Sequence, residues 1–121
     1  MKKKVKNGIA WFLQVIMGLE FILAGQAKFT RAEVWQRQFR EWGYPDHVYL
    51  IIGGLELLGA VLIFFPKLAS KAAIGLGVIM IGAVVTHGIY GEWSRVMVTL
   101  ILAALLFVVF WLRRSAIKQG E

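Results

Sequence analysis

"VYLIIGGLELLGAVLIFF", residues 48 to 65, decides the fold. Twelve of its residues are Val, Leu, Ile or Phe, and one carboxylate, Glu56, sits among them. In a membrane-spanning helix each such apolar residue contributes about −0.3 to −0.6 kcal/mol to insertion, against about +2.5 to +3.5 kcal/mol for a central charge. Insertion therefore tolerates Glu56 without explaining it, and the explanation must come from a partner or a task. The whole chain has 121 residues, 59% of them apolar. It is too short for two ordinary domains and too hydrophobic for a soluble one.

Three further apolar stretches flank the first, at about residues 8–27, 71–90 and 96–112. Each is near the ~20 residues that cross a ~30 Å hydrocarbon layer as a helix. The expected architecture is a single all-α domain over residues 1–121, an integral membrane four-helix bundle running up-down-up-down. Pro66 closes the second span before Ser70 can cap the third, and Ser94 can cap the fourth after Gly91. The longer connection, "FTRAEVWQRQFREWGYPD" at 29–46, predicts a helix of its own over about 31–42. Thr30 and Glu33 have capping-box spacing, Gly43 supplies a stop and Pro45 blocks continuation. Val34, Trp35, Phe39 and Trp42 share a broad face of it, so it reads as amphipathic and interfacial.

Charge placement gives an orientation. Lys2, Lys3, Lys4 and Lys6 precede the first span, Lys67 and Lys71 flank the middle turn, and Arg113, Arg114 and Lys118 follow the last. Fewer cations, Lys28, Arg31, Arg37, Arg40 and Arg95, fall on the opposite side. By the positive-inside rule both termini are cytoplasmic. The net charge of +7 is thus topological, with anionic lipid rather than nucleic acid as its partner. Trp11 and Trp111 near one boundary, and Trp35, Trp42 and Trp93 near the other, agree with this layout. "MKKKVK" followed by an apolar run and "AGQA" at 24–27 has the outline of a secretory signal, but Gln14 and Glu20 interrupt its apolar core, so an uncleaved first helix is expected. There is no cysteine, which excludes disulfides, dithiol relays and Cys-held iron–sulfur clusters.

The polar residues inside the spans are unevenly distributed. Glu20 lies roughly 18 Å up the first helix and Glu56 roughly 13 Å down the second, at nearly one depth. Gln26 and Lys28 end the first span, and Thr86, His87 and Glu92 end the third. Apart from Gln14, all fall in the outer half, and the last span adds only Thr99. Small residues accompany them: Gly53, Gly59 and Ala60 around Glu56, then Gly75, Gly82 and Ala83 on the third span, and Ala24 and Gly25 near Glu20. Such stripes mark faces packed on protein rather than lipid. Two readings stay open, polar glue between helices or a ligand or proton site. His47 and His87 could in principle ligate a haem, and Glu20, Glu56 and His87 a metal, but neither has a supporting motif, and no metal is expected. No phosphate loop, nucleophile elbow or HExxH occurs.

"FILAGQAKF" (21–29), "FREWGYP" (39–45), "IGGLELLGAVLIFFP" (52–66) and "VIMIGAVVTHGIYGE" (78–92) together resemble the DoxX and DoxX-like membrane proteins. The resemblance implies a four-helix protein, often bacterial, of the inner membrane. It also implies association with quinone-linked redox complexes, as for the small membrane subunit of a thiosulfate:quinone oxidoreductase, or assembly duties as in distant eukaryotic relatives. Lys28, Glu56, Thr86, His87 and Glu92 match family-type positions, whereas Glu20 stands where an apolar residue is expected. Three functions follow as expectations. The first is a redox-associated subunit binding quinone through Glu56 and His87, the chain itself carrying no cofactor. The second is an assembly protein meeting a membrane partner or a second copy through Trp35, Phe39 and Trp42. The third is a transporter or proton relay using Glu20 and Glu56. Whether the chain catalyses anything is left open.

Overall fold

The computed structural model describes residues 2–118, and side chains over residues 2–114. The described chain is all-α, with helices α1 (Lys3–Thr30), α2 (Ala32–Glu41), α3 (Val48–Ile63), α4 (Pro66–Ile89) and α5 (Trp93–Lys118), and no strand. Three of them, Lys3–Thr30, Pro66–Ile89 and the Trp93–Arg114 portion of α5, are long and apolar enough to cross a membrane. α3 is apolar but shorter. Its 16 residues rise about 24 Å. It stops at Ile63 rather than Phe65 because the residue before a proline is pushed out of the helical region, and Phe65 is extended at φ −99°, ψ 115°.

The turns follow from local chemistry, with three corrections to the sequence reading. α4 begins at Pro66, which occupies the first helical turn, where its missing N–H costs nothing. Ser70 is therefore buried inside α4 and caps nothing. α5 begins at Trp93, so Ser94 falls within the helix rather than ahead of it. The Thr30–Glu33 capping box is not made either. α1 continues through Thr30, whose hydroxyl turns back to the Gln26 carbonyl and side-chain oxygen at 3.2 Å each, leaving Arg31 to break the helix at φ −119°, ψ 44°. The stop read at Gly43 does form, and Gly91 makes a second one. Gly43 (φ 86°) and Gly91 (φ 69°) adopt left-handed conformations that end α2 and α4.

α1 packs on α3, α3 on α4, α4 most extensively on α5, and α5 on α1, while α2 touches α1 and α3. The core that results is a seam of Met17 and Phe21 from α1, Ala60 and Ile63 from α3, Ala69, Ala73 and Leu76 from α4, and Leu106 and Val109 from α5. Outside it, Phe12, Leu23, Ile51, Val78, Ile89, Met97 and Phe107 are exposed on every long helix. That much apolar surface is suited to hydrocarbon contact rather than water.

The tightest approach is between α1 and α3. A Cβ placed on Gly25 would lie 2.9 Å from the Gly53 carbonyl oxygen, and one on Gly53 would lie 2.9 Å from the Lys28 Cβ, so neither position accepts a side chain without separating the helices. Gly59 plays a similar part against Leu76. Gly75 and Gly82, by contrast, are exposed with nothing within 4 Å, so of the stripe read on α4 only Ala83 packs against the core and its glycines do not lie in a seam. Gly53→Leu is expected to lower stability by about 1–3 kcal/mol through overpacking, and Gly75→Leu to leave it unchanged. Unfolding of purified protein in mixed micelles checks both.

Candidate functional site

The close α1–α3 seam places Lys28 opposite Glu56. Their Nζ and Oε1 atoms are 2.7 Å apart, with side chains only 6% and 4% exposed. The ammonium approaches Oε1 off the hydrogen-bonding direction, so charge rather than a well-aligned bond holds the pair. The remaining reach of Lys28 goes to the Ala24 carbonyl at 3.4 Å and to the face of Trp35, whose ring centre is 4.3 Å away. Such a cation over an indole is stabilised by the ring quadrupole, more strongly where water is excluded.

This pair forms part of the wall of a cavity of about 330 Å³ to which all five helices contribute. α1 supplies Glu20, Phe21 and Lys28, α3 Ile52 and Glu56, α4 Ile79, Ala83 and His87, and α5 Arg95, Val98 and Thr99. Glu20, Arg95 and Val98 are the exposed members, so the cavity opens between α1 and α5. α2 closes the top with Trp35, Phe39 and Trp42. Phe39 is buried at the centre of an aromatic cluster, 6.2 Å from Trp35, 5.2 Å from Trp42 and 5.5 Å from Tyr44 between ring centres. The roof is tied down at its far end: Tyr90 donates to the Trp42 carbonyl at 2.9 Å, Tyr44 and Thr86 share a 2.5 Å hydrogen bond, and Arg95 reaches Gln38 at 3.4 Å. The expectation that Trp35, Phe39 and Trp42 form an outward docking face is thus corrected. The same amphipathic spacing is spent on roofing the cavity, because Lys28 and His87 offer the rings polar edges to cover.

His87 is buried, lies edge-on to Trp42 at 5.3 Å and bonds through Nδ1 to Glu92 Oε1 at 2.7 Å. Glu92 stands beyond the end of α4, about a quarter exposed, with Arg95 4.0 Å from its other oxygen. The hydrogen bond from His87 holds the Glu92 carboxyl below its ordinary value, helped by Trp42 and Arg95 and opposed by partial burial. With Nδ1 engaged by Glu92, the other ring nitrogen of His87 is the one left for a ligand.

Of the residues singled out in the sequence, Glu20, Lys28, Glu56 and His87 line the one cavity, and Glu92 stands behind His87. Gln26 does not join them, since its amide turns to the Leu23 carbonyl of its own helix at 3.2 Å. Thr86 faces a neighbouring groove and bonds the Gly82 carbonyl at 2.9 Å. Glu20 sits at the exposed rim rather than deep inside. His47 is exposed at the head of α3 and outside the cavity, and among the described residues no three His, Asp or Glu side chains converge as a metal site. One contributor was missed. Arg95 stands four residues before Thr99, the polar residue already noted on the last span, and the two present one face to the cavity, a spacing visible in the sequence but masked by counting Arg95 only as a boundary charge. The paired fate of Gln14 was also missed. It is fully buried, donates to the Ile63 carbonyl at 2.9 Å and accepts from Arg113 Nε at 2.7 Å, far from the cavity.

The sequence pattern of the DoxX-like family matches residues 12–109. The chain belongs to the DoxX-like family. Over 74 residues it is 32% identical to the Bacillus subtilis (strain 168) protein named "Putative oxidoreductase CatD". That stretch takes in 61% of this chain and 55% of the relative, so the DoxX-like chain spans just over half the length of the curated relative it matches. No solved structure matches it. Family membership and three long apolar helices make it an integral membrane protein.

Two predictions follow from the site of this DoxX-like protein. Lys28→Met and Glu56→Leu, each stranding a buried charge, should each cost about 3 kcal/mol, while the double variant should recover most of it; a double-mutant unfolding cycle measures this. The depressed Glu92 carboxyl stabilises the fold fully above its ordinary value of 4.5, and that contribution fades as pH falls through the lowered folded value. The gap in melting temperature between wild type and Glu92→Gln should therefore be constant above about pH 5.5 and shrink in more acid solution.

Proposed function

We propose that α1, α3, α4 and α5 cross a bacterial inner membrane in alternating directions as a four-helix bundle, with both termini and the α3–α4 joint on the cytoplasmic side. Supporting this are Lys3, Lys4, Lys6, Lys67, Lys71, Arg113 and Arg114 on that side, against the smaller set Lys28, Arg31, Arg37, Arg40 and Arg95 at the other end. The short α3 is compatible with a span because α2 lies over its outer end, so protein rather than lipid meets the backbone there.

Within that frame the cavity is a site for a quinone head group. Its volume is at the small end of the ~300–1,000 Å³ typical of ligand pockets. Its walls are largely apolar, its roof is aromatic and suited to a planar ring, and its few polar groups converge from four helices. A bound quinone supplies two-electron, two-proton redox chemistry. The chain's own part is to bind and orient. Lys28, held by the charge of Glu56, the Ala24 carbonyl and the Trp35 face, presents with Glu56 a fixed, mutually neutralised polar pair on the wall of the site. As an imidazolium, with Nδ1–H given to Glu92, His87 has its second ring N–H to donate to a carbonyl oxygen. The observation that carries the reading is the gathering of Lys28, Glu56 and His87 under one aromatic roof, and the oxidoreductase name of the B. subtilis relative points the same way. The assembly reading loses its proposed surface, since Trp35, Phe39 and Trp42 face inward. The proton-relay reading is weakened by the apolar layer of Met17, Phe21, Ile63, Leu76 and Leu106, which shuts the cavity off from the Gln14–Arg113 cluster.

Titrating the protein in lipid nanodiscs with a water-soluble benzoquinone should quench tryptophan fluorescence saturably, because Trp35 and Trp42 line the site. His87→Ala should weaken that binding roughly ten-fold, the worth of one hydrogen bond to a polar oxygen. Quenching that rises linearly with no plateau defeats the proposal.

A further inference from the structure

A second hollow of about 360 Å³ lies back to back with the first. Phe39, Trp42, Ile52, Ile79, Ala83 and His87 line both, so a single layer of side chains separates them. The second hollow opens on the other side of the molecule, between α3 and α4, where Tyr44, Leu55, Val78 and Gly82 are its exposed members. The two mouths differ in character. The α1–α5 mouth is rimmed by Glu20, Arg95 and Val98, whereas the α3–α4 mouth carries no charge: it is rimmed by Leu55, Val78, Tyr44 with its hydroxyl bonded to Thr86, and the bare backbone of Gly82, where a Cβ would meet nothing within 4 Å.

We infer that the α3–α4 groove holds the hydrocarbon tail of an amphiphile whose polar head occupies the charged cavity, the tail passing through the shared wall at Ala83. This rests on the ligand-site reading given above. The wall favours that crossing point. Ile79, Ala83 and His87 succeed one another at four-residue spacing on one face of α4, and between the two larger side chains Ala83 presents only a methyl group. Ile52 and Ile79, the other movable members, break no hydrogen bond by changing rotamer. His87 is fixed by Glu92, and the carbonyl of Trp42 by Tyr90. An aliphatic chain leaving by the α1–α5 mouth would instead desolvate the Glu20 carboxylate and the Arg95 guanidinium, a cost absent from the uncharged exit. The ligand class is therefore a head of quinone size on a long unbranched or isoprenoid chain, reaching the site from within the bilayer.

The groove and the lipid are equally apolar, so the tail gains little by leaving one for the other; what the groove provides is an uncharged route by which a tailed head can seat. Filling it acts by obstruction. A Cβ at Gly82 meets nothing within 4 Å, so Gly82→Leu adds bulk at the groove, and Gly75→Leu, on the same helix and equally open but lining neither hollow, is its control. Both are compared with wild type in nanodiscs of one lipid composition, so that partitioning cancels, using a tailless benzoquinone and the same ring carrying a long isoprenoid chain. Gly82→Leu should weaken the tailed ligand roughly ten-fold or more relative to the tailless one, a steric loss worth over 1.4 kcal/mol, and Gly75→Leu should change neither. Equal weakening of both ligands, or no weakening of the tailed one, overturns the groove assignment while leaving the head site intact. Failure of wild type to bind even the tailless ring removes the head site and the groove with it.

Discussion

The α1–α3 seam is the constraint on which the rest depends. Two glycines, Gly25 and Gly53, allow backbones to approach until a lysine on one helix can reach a glutamate on the other with no room for water between them. An isolated charge at such depth is expensive. Side by side, Lys28 and Glu56 neutralise one another, and the pair can persist in a largely apolar wall. The geometry is reciprocal: small residues permit the pair, and the pair fixes the register at which those small residues must meet. Trp35 then closes over the cation, which is what draws α2 across the top of the bundle.

Much of this was legible in the sequence because membrane insertion constrains it so severely. The apolar stretches located every long helix, and Gly43 marked the end of α2 as read. The depth of Glu20 and Glu56 could be counted along the helices, and both do line the cavity. What could not be counted was rotation about each helix axis. Depth does not say that Glu20 sits at the rim and Glu56 within, nor that Lys28 rather than Glu20 is the partner of Glu56. The capping signals failed for a related reason. Thr30, Ser70 and Ser94 have the chemistry of caps, but continuation of an apolar helix outweighs one capping bond, and Pro66 set a start that placed Ser70 inside.

The polar residues also divide into two groups with different characters. The Gln14–Arg113 contact, extended by Arg113 to Asn7 at 2.8 Å, joins α1 to α5 at one end. Gln14 and Asn7 both accept from Arg113, Nη2 alone being left without a partner, and the contact ties the two helices as polar glue does. At the other end the polar groups surround empty space. That contrast within one molecule separates structural polarity from a site better than residue type alone, since Gln14 is as buried as Glu56 and as unexpected in an apolar helix.

The placement of α2 carries the argument one step further. A short helix with a strongly apolar face at the edge of a membrane is ordinarily read as lying on lipid. Here the same face has a competing surface, made of Lys28, His87 and the upper turns of α3, and protein wins because it offers what lipid cannot. A cation sits beneath Trp35, an imidazole edge meets Trp42, and a buried Tyr49 lies 6.4 Å from Phe39. The exposed side keeps Arg31, Arg37 and Arg40, so the helix remains suited to the boundary even though its apolar face is turned down. An amphipathic pattern thus specifies that one face leaves water, and the charges waiting on the neighbouring helices decide whether it goes to lipid or to protein.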